Sequence, residues 1–191
     1  MRRGSAARSF FHGTTAKAEE GVTMKVVSVI PWYQALPGPA RVLLLAFLAC
    51  LLWETVEDCR HYLIHDRAVL FLVGGGLLFG TVCGIPWMES LAGAAVGAGF
   101  LGVVRAASRG GLGWGDVKLA GGLGVWLGPE RTALCLGLAF AAGGCVALIL
   151  LACRRYRRGS VLPFGPFLCG GAALSLCYGP ALLSRYYSWI L

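Results

Sequence analysis

The sequence predicts an all-α polytopic membrane protein of about six transmembrane helices, and three observations carry that prediction. Of 191 residues, 57% are hydrophobic and 14% charged, with a mean hydropathy of +0.71. That balance excludes an ordinary soluble domain. The apolar residues fall into separate runs divided by short polar stretches: Val42–Val56, Ala68–Ile85, Ser90–Val104, Leu112–Leu127, Thr132–Cys153 and Leu162–Leu183. The third observation is where the Lys and Arg residues stand.

Residues 1–38 carry Arg2, Arg3, Arg8, Lys17 and Lys25 without a continuous apolar run. A secretory leader needs an apolar region after its basic residues, and none follows Arg8. The segment reads as a poorly structured tail, closed by Pro37 and Pro39, with Met24 as the expected start. Residues 39–191 then form one six-span domain. Several spans are shorter than the ~20 residues a straight crossing requires, so their ends must be covered by protein or reach water. The fourth is the weakest, and the sixth opens with Pro163 and Pro166. Both predict short or broken helix starts beside a cavity. Gly93 and Gly97 make a small-xxx-small pair suited to close helix packing. None of the eight cysteines forms a CxxC pair, so a zinc ribbon is excluded and small apolar packing roles are expected.

The net charge of +8 invites a nucleic-acid reading, but its distribution favours topology instead. Nine Lys and Arg residues stand at the loops between spans 1 and 2, 3 and 4, and 5 and 6: Arg60, Arg67, Arg105, Arg109 with Lys118 just after, Arg154, Arg155, Arg157 and Arg158. Between spans 2 and 3 there are none, and only Arg131 and Arg185 mark loop 4–5 and the C-terminus. The positive-inside rule puts the basic loops in the cytoplasm and the C-terminus outside. The basic tail breaks that rule; a start at Met24 removes four of its five positive charges.

Within this frame the acids stand out. Gly111–Gly128 reads GLGWGDVKLAGGLGVWLG and places Asp116 at the threshold of an apolar segment. Gly113 and Gly115 flank its approach and let another backbone come close. An ionisable group at a membrane helix end is a functional candidate that needs a partner. Span one ends in Glu54, Glu57 and Asp58, with Asp66 just beyond, so charge alone does not select that partner. Depth puts Asp58 on the same membrane face as Asp116. Two close carboxylates share a proton and titrate as a unit. One can then activate water as general base while the other donates a proton to the scissile group, with no metal or cofactor required.

The segment GLGWGDVKLAGGLGVWLG resembles the GxGD motif of the type IV prepilin peptidases. Asp58-Cys59-Arg60-His61-Tyr62-Leu63-Ile64 is similar to that family's first catalytic motif, with His65 where proline is expected. Leu162-Pro163-Phe164-Gly165-Pro166-Phe167 resembles its PFGPF-like segment. The resemblance implies a membrane aspartyl endopeptidase with Asp58 and Asp116 catalytic, Gly113, Gly115 and Lys118 supporting the site, and Asp66 a loop residue. It also implies a prepilin or pseudopilin precursor as substrate, cleaved after a short basic leader in type IV pilus or type II secretion systems. The expected location is the bacterial cytoplasmic membrane, with the site near its cytoplasmic face and the lipid bilayer as partner. Longer family members add a region with paired CxxC cysteines linked to N-methylation; without such cysteines the resemblance is to the short form.

Blander readings stand beside these. Asp116 could be a helix N-cap, and Asp58 one solvated acid among several. Lys118 lies on another helix face from Asp116 and could snorkel to lipid phosphate. His61 and His65 read as solvated loop histidines, and the Arg154–Arg158 cluster as a positive-inside anchor. A proton- or cation-coupled transporter could use the same acids, although the sequence shows no internal repeat of the kind such folds carry. A presenilin-type GxGD protease is the other enzyme reading.

The charge distribution predicts that topology reporters fused at Arg109 and Arg155 face the cytoplasm while one at Leu191 faces outside. A cytoplasmic C-terminus would overturn the span assignment.

Overall fold

A computed structural model of the chain describes residues 36–108, 111–153 and 163–190. The expected tail, apart from its last residues, lies outside these, as do Arg109 and the Arg154–Arg158 cluster. All regular structure among the described residues is helical: α1 (Gly38–His61), α2 (Asp66–Cys83), α3 (Trp87–Ala107), α4 (Trp114–Ala152) and α5 (Gly165–Ile190). The first four are long and apolar enough to cross a membrane. Side chains such as Val42, Leu52, Leu70, Val103 and Leu148 are exposed along them, as lipid-facing residues are.

Helix boundaries follow local chemistry. Pro39 occupies the first turn of α1, where a missing N–H does no harm, and the Arg41 Nε donates to the Leu36 carbonyl at 3.0 Å. Tyr62 ends α1 in the left-handed conformation (φ 53°), its N–H donating to the Asp58 carbonyl at 3.0 Å. Gly84 ends α2 in the same way at φ 71°.

The 39 residues of α4 would run about 58 Å as one helix, nearly twice a ~30 Å hydrocarbon core. The chain breaks it at Gly128 (φ 72°, ψ 173°), followed by Pro129. The expected fourth and fifth spans are therefore the two arms of one element. Thr132 Oγ1 donates to the Gly128 carbonyl at 2.6 Å, and Pro129 opens the second arm with the N–H that would have been orphaned already missing. Arg131, expected as a loop 4–5 charge, is instead 3% exposed inside the second arm. Its backbone carbonyl accepts from Ser175 of α5 at 2.8 Å. The reason is the abruptness of the break: there is no loop for a charge to occupy. A cavity at this end is lined by Phe79, Ser90, Trp126 and Arg131, about one helix arm away from Asp116.

The first arm of α4 is the core of the protein. Trp126 is 2% exposed, donates its Nε1–H to the Leu72 carbonyl at 2.6 Å, and stacks between Phe47 and Phe79 at 4.4 and 5.1 Å. On its other side α3 comes into backbone contact. A Cβ on Gly93 would lie 2.1 Å from the Gly124 carbonyl oxygen, and one on Gly97 would lie 2.3 Å from that of Ala120. The small-xxx-small pair read from the sequence is thus the seam between α3 and α4. Such an approach gains dispersion contacts that lipid-like side chains alone cannot supply.

Gly93→Ala should force α3 away from α4 and lower stability by about 1–3 kcal/mol or more. Gly99→Ala, in open space on the same helix, should be neutral or stabilising by up to about 1 kcal/mol. Thermal unfolding in detergent would compare them, and equal effects would contradict the seam.

Candidate active site

Asp58 lies in the last turn of α1, where the negative end of the helix dipole disfavours an anion. It is nevertheless 6% exposed. The compensation comes from the opposite end of the sequence. The Gly165 backbone N–H, at the start of α5, donates to Asp58 Oδ2 at 2.9 Å. A helix N-terminus supplies both a free donor and positive potential. Only glycine fits this position: a Cβ on Gly165 would lie 2.6 Å from Oδ2. The neighbours in Pro163-Phe164-Gly165-Pro166-Phe167 have their own tasks. Phe164 packs on Phe140 of α4 at 5.0 Å between ring centroids, and Phe140 meets Phe100 of α3 edge-on at 5.8 Å. Phe167 fills the space that Gly143 leaves open, a Cβ there lying 3.4 Å from its ring. The segment is pinned by aromatic contacts so that one N–H meets one carboxylate.

Asp116 is the third residue of α4 and 9% exposed. The backbone N–H of Gly113, the extended N-cap residue, interacts with its carboxylate, as in the reciprocal half of a capping box. Asp116 is thus not the N-cap, which is Gly113, but the third residue of the helix, with its carboxylate in the positive end of its own helix. The approach to it is held by Arg105 of α3, whose Nη1 donates to the Leu112 carbonyl and whose guanidinium lies 4.7 Å over the Trp114 ring. Gly115 gives room to the loop after α1, a Cβ there lying 3.0 Å from Ile64 Cβ.

Asp58 and Asp116 lie at the same end of the helices, within electrostatic range of each other. Two buried acids, each facing a glycine N–H at a helix start, retain lone pairs for a proton or a water. That is the equipment of general acid–base hydrolysis. The remaining expected residues separate. Lys118 is not directed at the pair; its Nζ makes an ion pair with Asp66 Oδ1 at 2.6 Å on the exposed surface, tying α4 to the start of α2. His61 is exposed, 3.9 Å from Glu57 one turn earlier. His65 departs from the solvated loop residue expected, because its Nδ1 is buried without a hydrogen-bond partner where the loop folds onto α1.

Three contributors were missed by the sequence reading. Gly165 had a signal, a glycine between two prolines and two phenylalanines. Arg105 had none beyond its charge, which the topology rule had already absorbed. Glu54 was passed over as one acid among several, yet it is 1% exposed.

Two buried carboxylates at one end of an all-α bundle define a helical membrane protein with an acidic site at that end. More particularly, the chain belongs to the type IV leader peptidase family, whose family model matches residues 45–148. It is 30% identical over 172 residues to a prepilin leader peptidase/N-methyltransferase of Aeromonas salmonicida (strain A449), covering 87% of this chain and 59% of the relative. The corresponding protein of Burkholderia pseudomallei (strain K96243) is 36% identical over 155 residues, 76% of this chain and 50% of the relative. That of Bacillus subtilis (strain 168) is 29% identical over 146 residues, 76% and 59%. The chain thus spans less than two thirds of the length of these relatives. No solved structure matches it. Family membership leaves the transporter reading without support.

Proposed function

We propose that this chain is an aspartyl endopeptidase of the bacterial cytoplasmic membrane that removes the leader of prepilin-like precursors. Residues 39–191 act as a six-crossing peptidase unit whose site opens towards the cytoplasm. The observation that carries the reading is the pair Asp58 and Asp116, both buried at one end of the bundle and interacting electrostatically.

In this reading one carboxylate takes a proton from water as water attacks the scissile carbonyl. The other, protonated, gives its proton to the leaving amine. Gly165 and Gly113 hold the two side chains through backbone N–H groups, which cannot themselves take up or release protons at working pH. The attacking group is water, so no covalent enzyme intermediate forms. A short basic leader suits the cytoplasmic face, where an extended segment can reach the acids while the following apolar helix stays in lipid.

Asp58→Asn and Asp116→Asn should each lower precursor cleavage by at least about 10³-fold while the protein still accumulates in the membrane. Asparagine keeps size and one acceptor but cannot ionise. The double variant should be no worse than either single, because the pair acts as one unit. Asp66→Asn, which loses only the exposed pair with Lys118, should retain most activity. A precursor-cleavage assay in membranes reads all four; normal cleavage by Asp58→Asn with a dead Asp66→Asn would refute the assignment.

A further inference from the structure

The start of α4 is poorly furnished to hold itself in place. Three of the five residues 111–115 are glycines, which bring no side chain to pack and have the most backbone freedom to lose. Gly111, Gly113 and Trp114 all stand exposed. Yet this segment carries the group that faces Asp116. The Gly113 N–H interacts with the carboxylate, and a Cβ on Gly113 would lie 3.2 Å from Asp116 Oδ2. An exposed helix start with few contacts of its own belongs to the least stable part of a fold. Its support comes from α3. Arg105 holds the residues on either side of Gly113: its Nη1 donates to the Leu112 carbonyl, and its guanidinium lies 4.7 Å over the Trp114 ring. Neither partner is a carboxylate, so these contacts are not those of an ion pair. Ser108, which ends α3, adds a third tie, its carbonyl accepting from the Gly111 N–H at 3.2 Å.

We propose that Arg105 is a positioning residue for Asp116. By gripping Leu112 and Trp114 together it fixes the Gly113 N–H, and through that donor the carboxylate. The positioning role rests on the reading of Asp116 as catalytic; the grip on the segment does not. A guanidinium suits the task because it donates in its plane and stacks through its face at the same time. An ammonium is a compact point charge without such a fork. The blander role for Arg105 is a basic anchor at the membrane surface, which needs charge alone. Lysine keeps that charge and reaches the surface as readily, so it separates the two roles.

Amide hydrogen exchange, read by NMR on the full chain in lipid nanodiscs, tests the grip without using activity. Arg105→Lys and Arg105→Gln should each speed exchange at the Gly111 and Gly113 amides by about tenfold or more. Residues 120–127 of the same helix should keep their protection. Unchanged exchange, or an equal rise along the whole of α4, overturns the proposal. Cleavage then tests positioning. Both variants should lower kcat by roughly 10- to 100-fold, with KM changed less than about twofold. Arg105→Gln combined with Trp114→Ala should be no worse than Arg105→Gln alone, because both changes release one grip. Full kcat in Arg105→Lys, or a loss confined to KM, shows that charge suffices and overturns the positioning role. Should Arg105→Gln fail to accumulate, Arg105→Lys decides. If unsubstituted protein cleaves no precursor, the peptidase reading fails while the exchange result still decides the grip.

Discussion

The hydrogen bond from Gly165 to Asp58 is the constraint on which the rest of the architecture depends. It joins residues 107 positions apart and sets an acid from an unfavourable helix end against the favourable end of another helix. Without it, a buried carboxylate in the last turn of α1 would lack both solvent and counter-potential. The bond requires α5 to start at one depth, and the aromatic contacts of Phe164 with Phe140 and of Phe140 with Phe100 hold it there. It also requires that nothing larger than hydrogen stand on Gly165.

The same device is used for the second acid. Asp116 faces the N–H of Gly113 at the start of α4. Two helix starts therefore face two carboxyl groups. In a medium that offers little water, backbone N–H groups at helix starts are donors that need no counter-charge of their own. Glycine at the contact points lets them come close. The seam of Gly93, Gly97 and Gly124 then fixes α3, and with it Arg105, against the arm of α4 that bears Asp116. Packing far from the acids thus bears on where each one stands.

Much of this was legible in the sequence. Apolar run lengths placed the second and third helices to within three residues, because hydropathy and helix length answer to the same bilayer dimension. The first and last helices run on to His61 and Ile190, past the expected Val56 and Leu183. Gly93 and Gly97 were readable because their spacing repeats once per turn. Asp116 announced itself through its glycines. Asp58 could be singled out from Glu54, Glu57 and Asp66 only by resemblance, since composition and depth do not distinguish neighbouring acids on a helix end. Gly165 stood out as a glycine among prolines and phenylalanines, but its bond to Asp58 and the burial of His65 Nδ1 were not legible. They depend on contacts between α1 and segments remote from its acids, which no local pattern encodes. The burial of Arg131 was likewise hidden, because a charge after Gly128-Pro129 looks like a loop residue until the break proves to have no loop.

The central claim is that Asp58 and Asp116 meet. The most direct measurement replaces the eight native cysteines, introduces Asp58→Cys and Asp116→Cys together, and treats membranes with a short bifunctional thiol reagent. The account predicts an intramolecular cross-link joining fragments on either side of a protease site engineered into the loop between α2 and α3. Neither single substitution should give it. Thiols that each react with a monofunctional reagent yet never cross-link would contradict the account.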